Sequence, residues 1–259
     1  GYFETFEFRA GTSVGTQTHL KFAIGNEASE LEQEKEWAPL EFSENGSIDV
    51  DSFIFGGYGI VAPEQKLKGF SYDSFPENKT LKDKWVIVMR DMPQNLSDAE
   101  RQHLLPFSSL RAKAITARDF GAKGIIFVTG PLSPFKKDII SLKQSRGHSQ
   151  GGIQALMLGR EQAAKLFRAA GKDLNEIQSI LDKGQKTENF ILKNFSFSGH
   201  IALERETRQG RNVIGKISGS SPNRKTVIIG AHVDHLGEGS HSSSLSRNLD
   251  ADPIHHGAD

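Results

Sequence analysis

Short hydrophobic runs separated by glycine, proline and aspartate dominate the chain from Ser47 onward, a pattern typical of strands joined by tight turns. Two of these runs, 84–90 (KWVIVMR) and 124–129 (GIIFVT), are continuous and rich in β-branched residues. Such runs predict strands that are buried on both faces of a sheet. A third strand is predicted at 154–158 (QALML).

The segment between the first two of these strands has helical periodicity. Leu110, Ala114 and Ala117 recur at the spacing of one helix face, and Ser108 or Ser109 can cap the first turn. A glycine shortly after this stripe can end the helix. A strand, a helix and a strand in this order predict a parallel crossover.

Two more helices are predicted after the third strand. The first places Ala163, Phe167 and Ala170 on one face. The second is short and opens at Asp173, with Glu176 three residues later in a carboxylate variant of the capping box. A glycine follows each helix and favours the left-handed backbone that commonly ends one.

The pattern is weaker outside these elements. Residues 1–40 are mixed and charged, and they predict a surface segment without a core of its own. Alternating apolar and polar residues over 195–203 predict a half-buried strand. A charged turn and then the segment 211–218 (RNVIGKIS) follow this strand. The run 226–230 (TVIIG) is the best candidate for a buried strand in the second half, and we expect its apolar edge to be unpaired.

Composition is that of an ordinary globular protein, with 36% hydrophobic and 25% charged residues among 259. This length fits two domains, with a boundary near residue 190 after the polar stretch 183–189. No hydrophobic stretch approaches the roughly 20 residues that a membrane-spanning helix needs. The 32 basic residues balance the 32 acidic ones, so no net field favours nucleic acid as a partner.

The chain has no cysteine, so any metal site must use histidine, aspartate and glutamate. Five of the nine histidines lie between His232 and His256, directly after the predicted strand at 226–230. Ligands commonly bind at the carboxyl ends of the strands in open α/β sheets. This cluster is the strongest functional signal in the sequence.

The spacing of His232 and Asp234 suits a metal site. One imidazole nitrogen can bind a divalent metal while the carboxylate accepts a hydrogen bond from the other nitrogen. Asp259 follows two small residues, in a turn where the backbone can approach a metal closely. His235 and His256 are candidate auxiliary ligands, with loop residues beside the cleft as the alternative. A single histidine after a strand is also commonly a hydrogen-bonded loop residue, so both interpretations of His232 stay open at this point.

The motif GAHVDHLG at 230–237, with NVIG before it and HGAD after it, resembles the co-catalytic zinc aminopeptidases of metallopeptidase family twenty-eight. That family also includes relatives of glutamate carboxypeptidase. The resemblance implies that His232 binds one zinc ion, that Asp234 orients this histidine, and that Asp259 bridges two zinc ions.

Motifs in the first two thirds of the chain look like the protease-associated domain that many members of this family carry as an insertion. In order, they are FGGYGI at 55–60, YD at 72–73, KWVIVMR at 84–90 and FGAKGII at 120–126. The resemblance implies three segments: an N-terminal part of the peptidase domain at 1–44, the insert at 45–190, and the first part of the zinc peptidase domain at 191–259. We expect the insert to fold by itself.

The implied fold class is α/β. It combines a phosphorylase/hydrolase-like zinc peptidase domain, with a mixed sheet and helices, and an inserted β-rich α/β protease-associated domain. The glycines at 56–59 (GGYG) predict a structural turn, because they lack the Lys-Ser/Thr ending of a phosphate-binding loop and do not open a helix.

The resemblance implies a zinc-dependent exopeptidase, with an aminopeptidase that removes N-terminal residues from peptides as the favoured form. Two zinc ions per complete protein and a peptide substrate go with it. The sequence stops at Asp259, before the family's Glu-Glu pair, its further carboxylate ligand and its final histidine. We therefore expect the chain as given to be inactive alone.

Two alternatives remain. One is a carboxypeptidase of the same family, and the other is a non-catalytic interaction module that uses the protease-associated domain. The resemblance also implies an exported protein, in the periplasm, the envelope or the extracellular space, whose signal peptide is not in this chain. Oligomeric state and side-chain specificity do not follow from the sequence.

Overall fold

The computed structural model describes residues 2–64, 67–75, 81–140, 142, 150–185, 189–219 and 226–231. The chain divides into two compact units. The larger unit is Thr5–Asn212, and the described residues 2–4, 213–219 and 226–231 belong to the smaller one.

Strands make up most of the regular structure. They are β1 (Phe3–Val14), β2 (His19–Ile24), β3 (Glu27–Glu30), β4 (Trp37–Pro39), β5 (Gly46–Val50), β6 (Phe53–Phe55), β7 (Val61–Ala62), β8 (Tyr72–Asp73), β9 (Trp85–Met89), β10 (Gly124–Val128), β11 (Gln154–Leu158), β12 (Ile191–Leu192), β13 (Phe195–Ile201) and β14 (Leu203–Val213). The helices are α1 (Asp98–Leu104), α2 (Leu110–Asp119), α3 (Arg160–Ala169) and α4 (Leu174–Leu181), with a 3-10 turn at Leu105–Phe107. The fold is mixed α/β.

A six-stranded sheet in the order β12-β6-β9-β10-β11-β4 forms the centre of the larger unit. The inner strands β6, β9, β10 and β11 run parallel, and β12 and β4 pair antiparallel at its two edges. Every residue of β9 and β10 is buried, as expected for strands covered on both faces. The two predicted buried strands, the third predicted strand at Gln154–Leu158 and the parallel crossover from β9 through α2 to β10 are confirmed.

Alternate residues of the central strands point into two separate hydrophobic clusters, because successive side chains of a strand face opposite sides. Val86 and Val88 pack in the cluster that contains Ala114 and Ala117 of α2. Residues on the other face pack in the cluster that contains α3 and α4, for example Ile87 against the α3 side. The sheet is therefore a middle layer with helices on both faces.

The helix ends follow the predicted capping residues. Ser109 caps α2 by accepting a hydrogen bond from the backbone N–H of Ala112, and Gly121 has a φ of +91° beyond its end. Asp173 caps α4, and Gly184 has a φ of +73° after it. The N-caps and end glycines predicted for these two helices are confirmed.

A second sheet in the order β3-β2-β13-β5 packs on the same core as α3. Within this sheet, the ring centroids of Phe22 and Phe197 lie 4.8 Å apart. Phe195 packs against the six-stranded sheet, with its ring centroid 4.9 Å from that of Phe53 in β6. The prediction that residues 1–40 form a surface segment is wrong, because part of the segment packs in a cluster that it shares with later elements. Apolar residues at alternate positions of β2, including Leu20 and Phe22, are buried there.

Strand pairing links the three predicted segments of the chain. Strand β13 pairs with β2 on one side and β5 on the other, so residues before 44, after 44 and after 190 share one sheet. The boundaries at 44 and 190 stay predictions. The predicted charged turn after residue 203 is wrong, because those residues lie within β14, which forms a two-stranded ribbon with β1.

The prediction of a buried strand at 226–230 is also wrong. The segment has no strand structure, and Val227, Ile228 and Ile229 are 83%, 89% and 93% exposed. A hydrophobic run becomes a buried strand only when it pairs with neighbouring strands and packs against another layer. The sequence of the run does not show whether these partners are present. None of the helices in the described segments is long and apolar enough to cross a membrane.

Candidate functional site

The residues of the predicted metal site lie outside the described part of the chain. These residues are His232, Asp234, His235, His256 and Asp259. Their predicted roles therefore stay predictions. Among the residues that are described, no group of three or more histidine, aspartate or glutamate side chains is placed to hold a metal ion.

The polar residues that the structure does bring together lie at the carboxyl edge of the four parallel strands. This edge follows the ends of β6, β9, β10 and β11, at Phe55, Met89, Val128 and Leu158. It is the edge at which α/β sheets usually bind ligands.

A tight turn after β6 carries the first of these polar groups. Gly57 and Gly59 have φ values of +52° and +66°, and the N–H of Gly59 donates to the carbonyl of Gly56 at 2.7 Å. The prediction of a structural turn at 56–59 is confirmed. The turn directs Tyr58 into the interior, where it is 1% exposed.

Tyr58 is part of a buried hydrogen-bond network that ties the end of α4 to the sheet. Its hydroxyl donates to the carboxylate of Asp182, and the backbone N–H of Gln94 donates to the same carboxylate oxygen at 3.3 Å. The side chain of Gln178 accepts from the N–H of Leu132 at 2.9 Å. Burial, and after it the hydrogen bond to Asp182, raise the pKa of Tyr58, so the phenol keeps its proton.

Lys113 is the most unusual side chain in the described residues. It is fully buried, and its ammonium donates to the backbone carbonyls of Met89, at 3.0 Å, and Asp91. It also lies 5.7 Å from the centre of the Tyr58 ring. Burial lowers the pKa of Lys113 to about 7, and the charge of Asp91 partly opposes this effect.

Sequence reasoning did not single out Lys113, although a signal was present. It falls between Leu110 and Ala114 on the apolar stripe of α2, where a lysine needs a specific partner to be buried. Its partners are carbonyls at the end of β9 and just after it, and only the tertiary structure brings them to the helix.

A second charged cluster holds the loop after β10 in place. An ion pair joins Arg160 to Asp138 at 2.7 Å, and the guanidinium also donates to the carbonyl of Phe135 at 2.6 Å. The guanidinium of Arg90 lies 3.8 Å from the centre of the Phe135 ring. Burial lowers the pKa of Arg90, which remains charged as arginine does in proteins.

The charged and phenolic groups at this edge are therefore bonded to one another and to backbone carbonyls. A catalytic nucleophile must also be accessible to a substrate, and Tyr58 and Lys113 are buried. In the network of Tyr58, Lys113, Arg90 and Arg160, each polar head is already engaged as a donor or ion-pair partner. We interpret the network as structural, because it holds α2 and the end of α4 against the central sheet.

No protein-family model and no curated protein sequence matches the chain. Among solved structures, it is similar to an aminopeptidase from Aneurinibacillus sp. strain AM-1, with a TM-score of 0.42 and 16% identity over 81% of this chain and 36% of that one. It is also similar to BSAP, a zinc aminopeptidase from Bacillus subtilis, with a TM-score of 0.35 and 13% identity over 80% of this chain and 35% of that one. The chain thus spans little more than a third of the length of either enzyme.

Proposed function

We propose that the whole protein is a zinc-dependent exopeptidase, an aminopeptidase that removes N-terminal residues from peptides and holds two zinc ions. The observation that carries this proposal is the sequence His232-x-Asp234, followed by Asp259 after a Gly-Ala pair, in a chain without cysteine. We further propose that the protein is exported and that residues 45–190 form a protease-associated domain, whose folding depends on the flanking strands β2 and β13.

The donor types in this motif fit zinc. Imidazole nitrogen and carboxylate oxygen are both ordinary zinc ligands, and a carboxylate can be shared between two metal ions. On this proposal His232 and Asp259 hold the metal, and Asp234 fixes the orientation of His232 through a hydrogen bond. Bound zinc would supply the polarisation of a peptide carbonyl and the activation of a water molecule.

Metal content and peptide hydrolysis by the full-length protein test the proposal. We expect zinc in the purified protein and cleavage of an aminoacyl p-nitroanilide. His232→Ala should lose zinc and activity together. Asp234→Asn should lower kcat/KM by about 10- to 100-fold, the usual cost of losing the partner of a metal-bound histidine. His19→Ala is the matched control, because His19 is an exposed residue of β2 far from the motif in sequence.

Blocked peptides separate the alternatives. An aminopeptidase fails on an N-acetylated peptide, whereas a carboxypeptidase cleaves it and fails on a C-terminal amide. Peptide binding without zinc or hydrolysis would leave the interaction module as the function. Unchanged zinc content in His232→Ala would show that the proposed ligand is wrong.

A further inference from the structure

A cleft of about 620 Å³ lies at the carboxyl edge of the central sheet, between α3 and the start of α4. This volume falls within the usual range for small-ligand pockets, about 300 to 1,000 Å³. The residues that the argument uses are Ala164, Phe167, Arg168, Lys172, Leu174 and Asn175. All of them belong to the unit Thr5–Asn212 and none belongs to the predicted metal site.

The floor of the cleft is apolar. Phe167 of α3 and Leu174 of α4 are 1% and 7% exposed overall, yet both contribute to the lining. Ala164 lies about one helical turn before Phe167 and Arg168 on α3, and its small side chain leaves room in the cleft. An apolar floor of this kind suits an aliphatic or aromatic group of a ligand.

The two acidic side chains of the cleft already have intramolecular partners. Glu161 forms an ion pair with Lys165 at 2.8 Å. Asp173 caps α4, where its carboxylate accepts from the N–H of Asn175 at 2.8 Å. Asp173 is therefore committed to its helix cap, whereas Glu161 interacts first with Lys165 and more weakly with the charge of Arg168, and both cations lower the pKa of Glu161.

The three cationic side chains of the cleft, Arg160, Arg168 and Lys172, differ in their intramolecular partners. Arg160 is paired with Asp138, and the ammonium of Lys172 lies 4.7 Å from the centre of the Phe190 ring. Arg168 lines the same cleft, and within the described ranges no acidic side chain forms an ion pair with its guanidinium. The cleft thus combines an apolar floor with a cation that lacks an ion-pair partner in this part of the chain.

We propose that this cleft binds a carboxylate attached to an apolar group, of the kind that a peptide ending in an apolar residue presents. Arg168 pairs with the carboxylate, since guanidinium and carboxylate match in geometry and charge. The apolar group covers Phe167 and Leu174, and the exposed amide of Asn175 is available to the peptide backbone. None of its residues is a predicted metal ligand, so binding at this site can be measured separately from zinc content and peptide hydrolysis.

Calorimetric titration of the full chain with the acetylated tripeptide Gly-Gly-Leu tests the site. The acetyl group prevents removal of N-terminal residues during the measurement. We expect the free acid to bind and its C-terminal amide to bind at least about tenfold more weakly, because a charge-assisted hydrogen bond is lost. Arg168→Gln should weaken binding of the acid by about 10- to 100-fold.

Arg211→Gln is the matched control, because Arg211 is an exposed arginine of β14 that does not line the cleft. Ala164→Trp provides a second variant that fills the cleft while Arg168 stays in place, and it should abolish binding. Unfolding curves confirm that each variant folds.

An amidated peptide that carries a glutamate side chain distinguishes the two sources of a carboxylate. Binding of this peptide with the same dependence on Arg168 supports the site and assigns the carboxylate to a side chain. Equal affinity for acid and amide, or equal affinity of Arg168→Gln and Arg211→Gln, overturns the proposal. Failure of the acid to bind the parent chain overturns it as well, whatever the outcome of the zinc and hydrolysis measurements.

Discussion

Lys113 shows how a single buried charge shapes the pH dependence of stability. Its pKa of about 7 in the folded protein lies below the ordinary value of 10.5 in the unfolded chain. Between these two values the unfolded state binds more protons than the folded state, so the free energy of unfolding rises with pH. Below pH 7 both states are protonated, and the cost of burying the charge is fully present.

We predict that Lys113→Met flattens this pH dependence. In the parent chain, Lys113 contributes a slope of at most about 1.4 kcal/mol per pH unit between pH 7 and 10.5. The variant has no titrating group at this position, so the contribution of Lys113 to the slope should disappear. Urea denaturation at a series of pH values measures the effect. Lys84→Met, at an exposed lysine, should keep the parent slope, and an unchanged slope in Lys113→Met would refute the assignment.

The same residue marks the limit of sequence reasoning at this scale. The apolar stripe of α2 was predictable from Leu110, Ala114 and Ala117, but the carbonyls that receive Lys113 come from the end of β9 and the chain after it. Asp182 is similar, since it follows α4 and meets Tyr58 from a turn 124 residues earlier. The periodicity of a short segment cannot identify hydrogen-bond partners that lie so far away in the sequence.

At the scale of single elements, the turn after β6 depends on close approach as well as on backbone conformation. Gly59 has a φ of +66°, and a Cβ at this position would lie 2.9 Å from Cγ1 of Val88. Gly69 also has a positive φ, +78°, but nothing lies within 4 Å of a Cβ placed there. A substitution at Gly69 therefore introduces backbone strain alone, whereas a substitution at Gly59 introduces backbone strain and steric overlap.

We predict that Gly59→Ala destabilises the protein more than Gly69→Ala. The Gly69 variant bears the backbone term alone, about 1 kcal/mol, whereas the Gly59 variant adds the overlap with Val88, for a total of about 2–4 kcal/mol. Chemical denaturation of both variants measures the difference. Equal losses of stability would mean that Val88 moves aside without cost.

The elements that sequence predicted well are those whose information is local. Continuous β-branched runs predicted β9 and β10, and capping residues predicted the start of α2. The errors concern elements defined by their partners. The charged residues of β14 form a strand because β1 pairs with them, and the hydrophobic run at 226–230 forms none.

At the scale of the whole molecule, the buried clusters argue for a larger folding unit than the predicted insert. Every buried residue of the two clusters lies between Leu20 and Leu203. A fragment of residues 45–190 would lack β2 and β13, and with them Phe22, Phe195 and Phe197. Burying a phenylalanine contributes about 1.5–3 kcal/mol, so three of them approach the total stability of an ordinary domain, about 5–15 kcal/mol.

We therefore predict that residues 5–212 fold alone and that residues 45–190 do not. The longer fragment keeps both clusters and all strands of the two larger sheets, whereas the shorter one exposes Phe53 along the face that β13 covers. Circular dichroism and urea denaturation of the two fragments compare them directly. A cooperative transition in the longer fragment alone would place the domain boundaries outside 45–190. A cooperative transition in the shorter fragment would instead show that the four parallel strands and their helices are stable without β4, β12 and the aromatic layer.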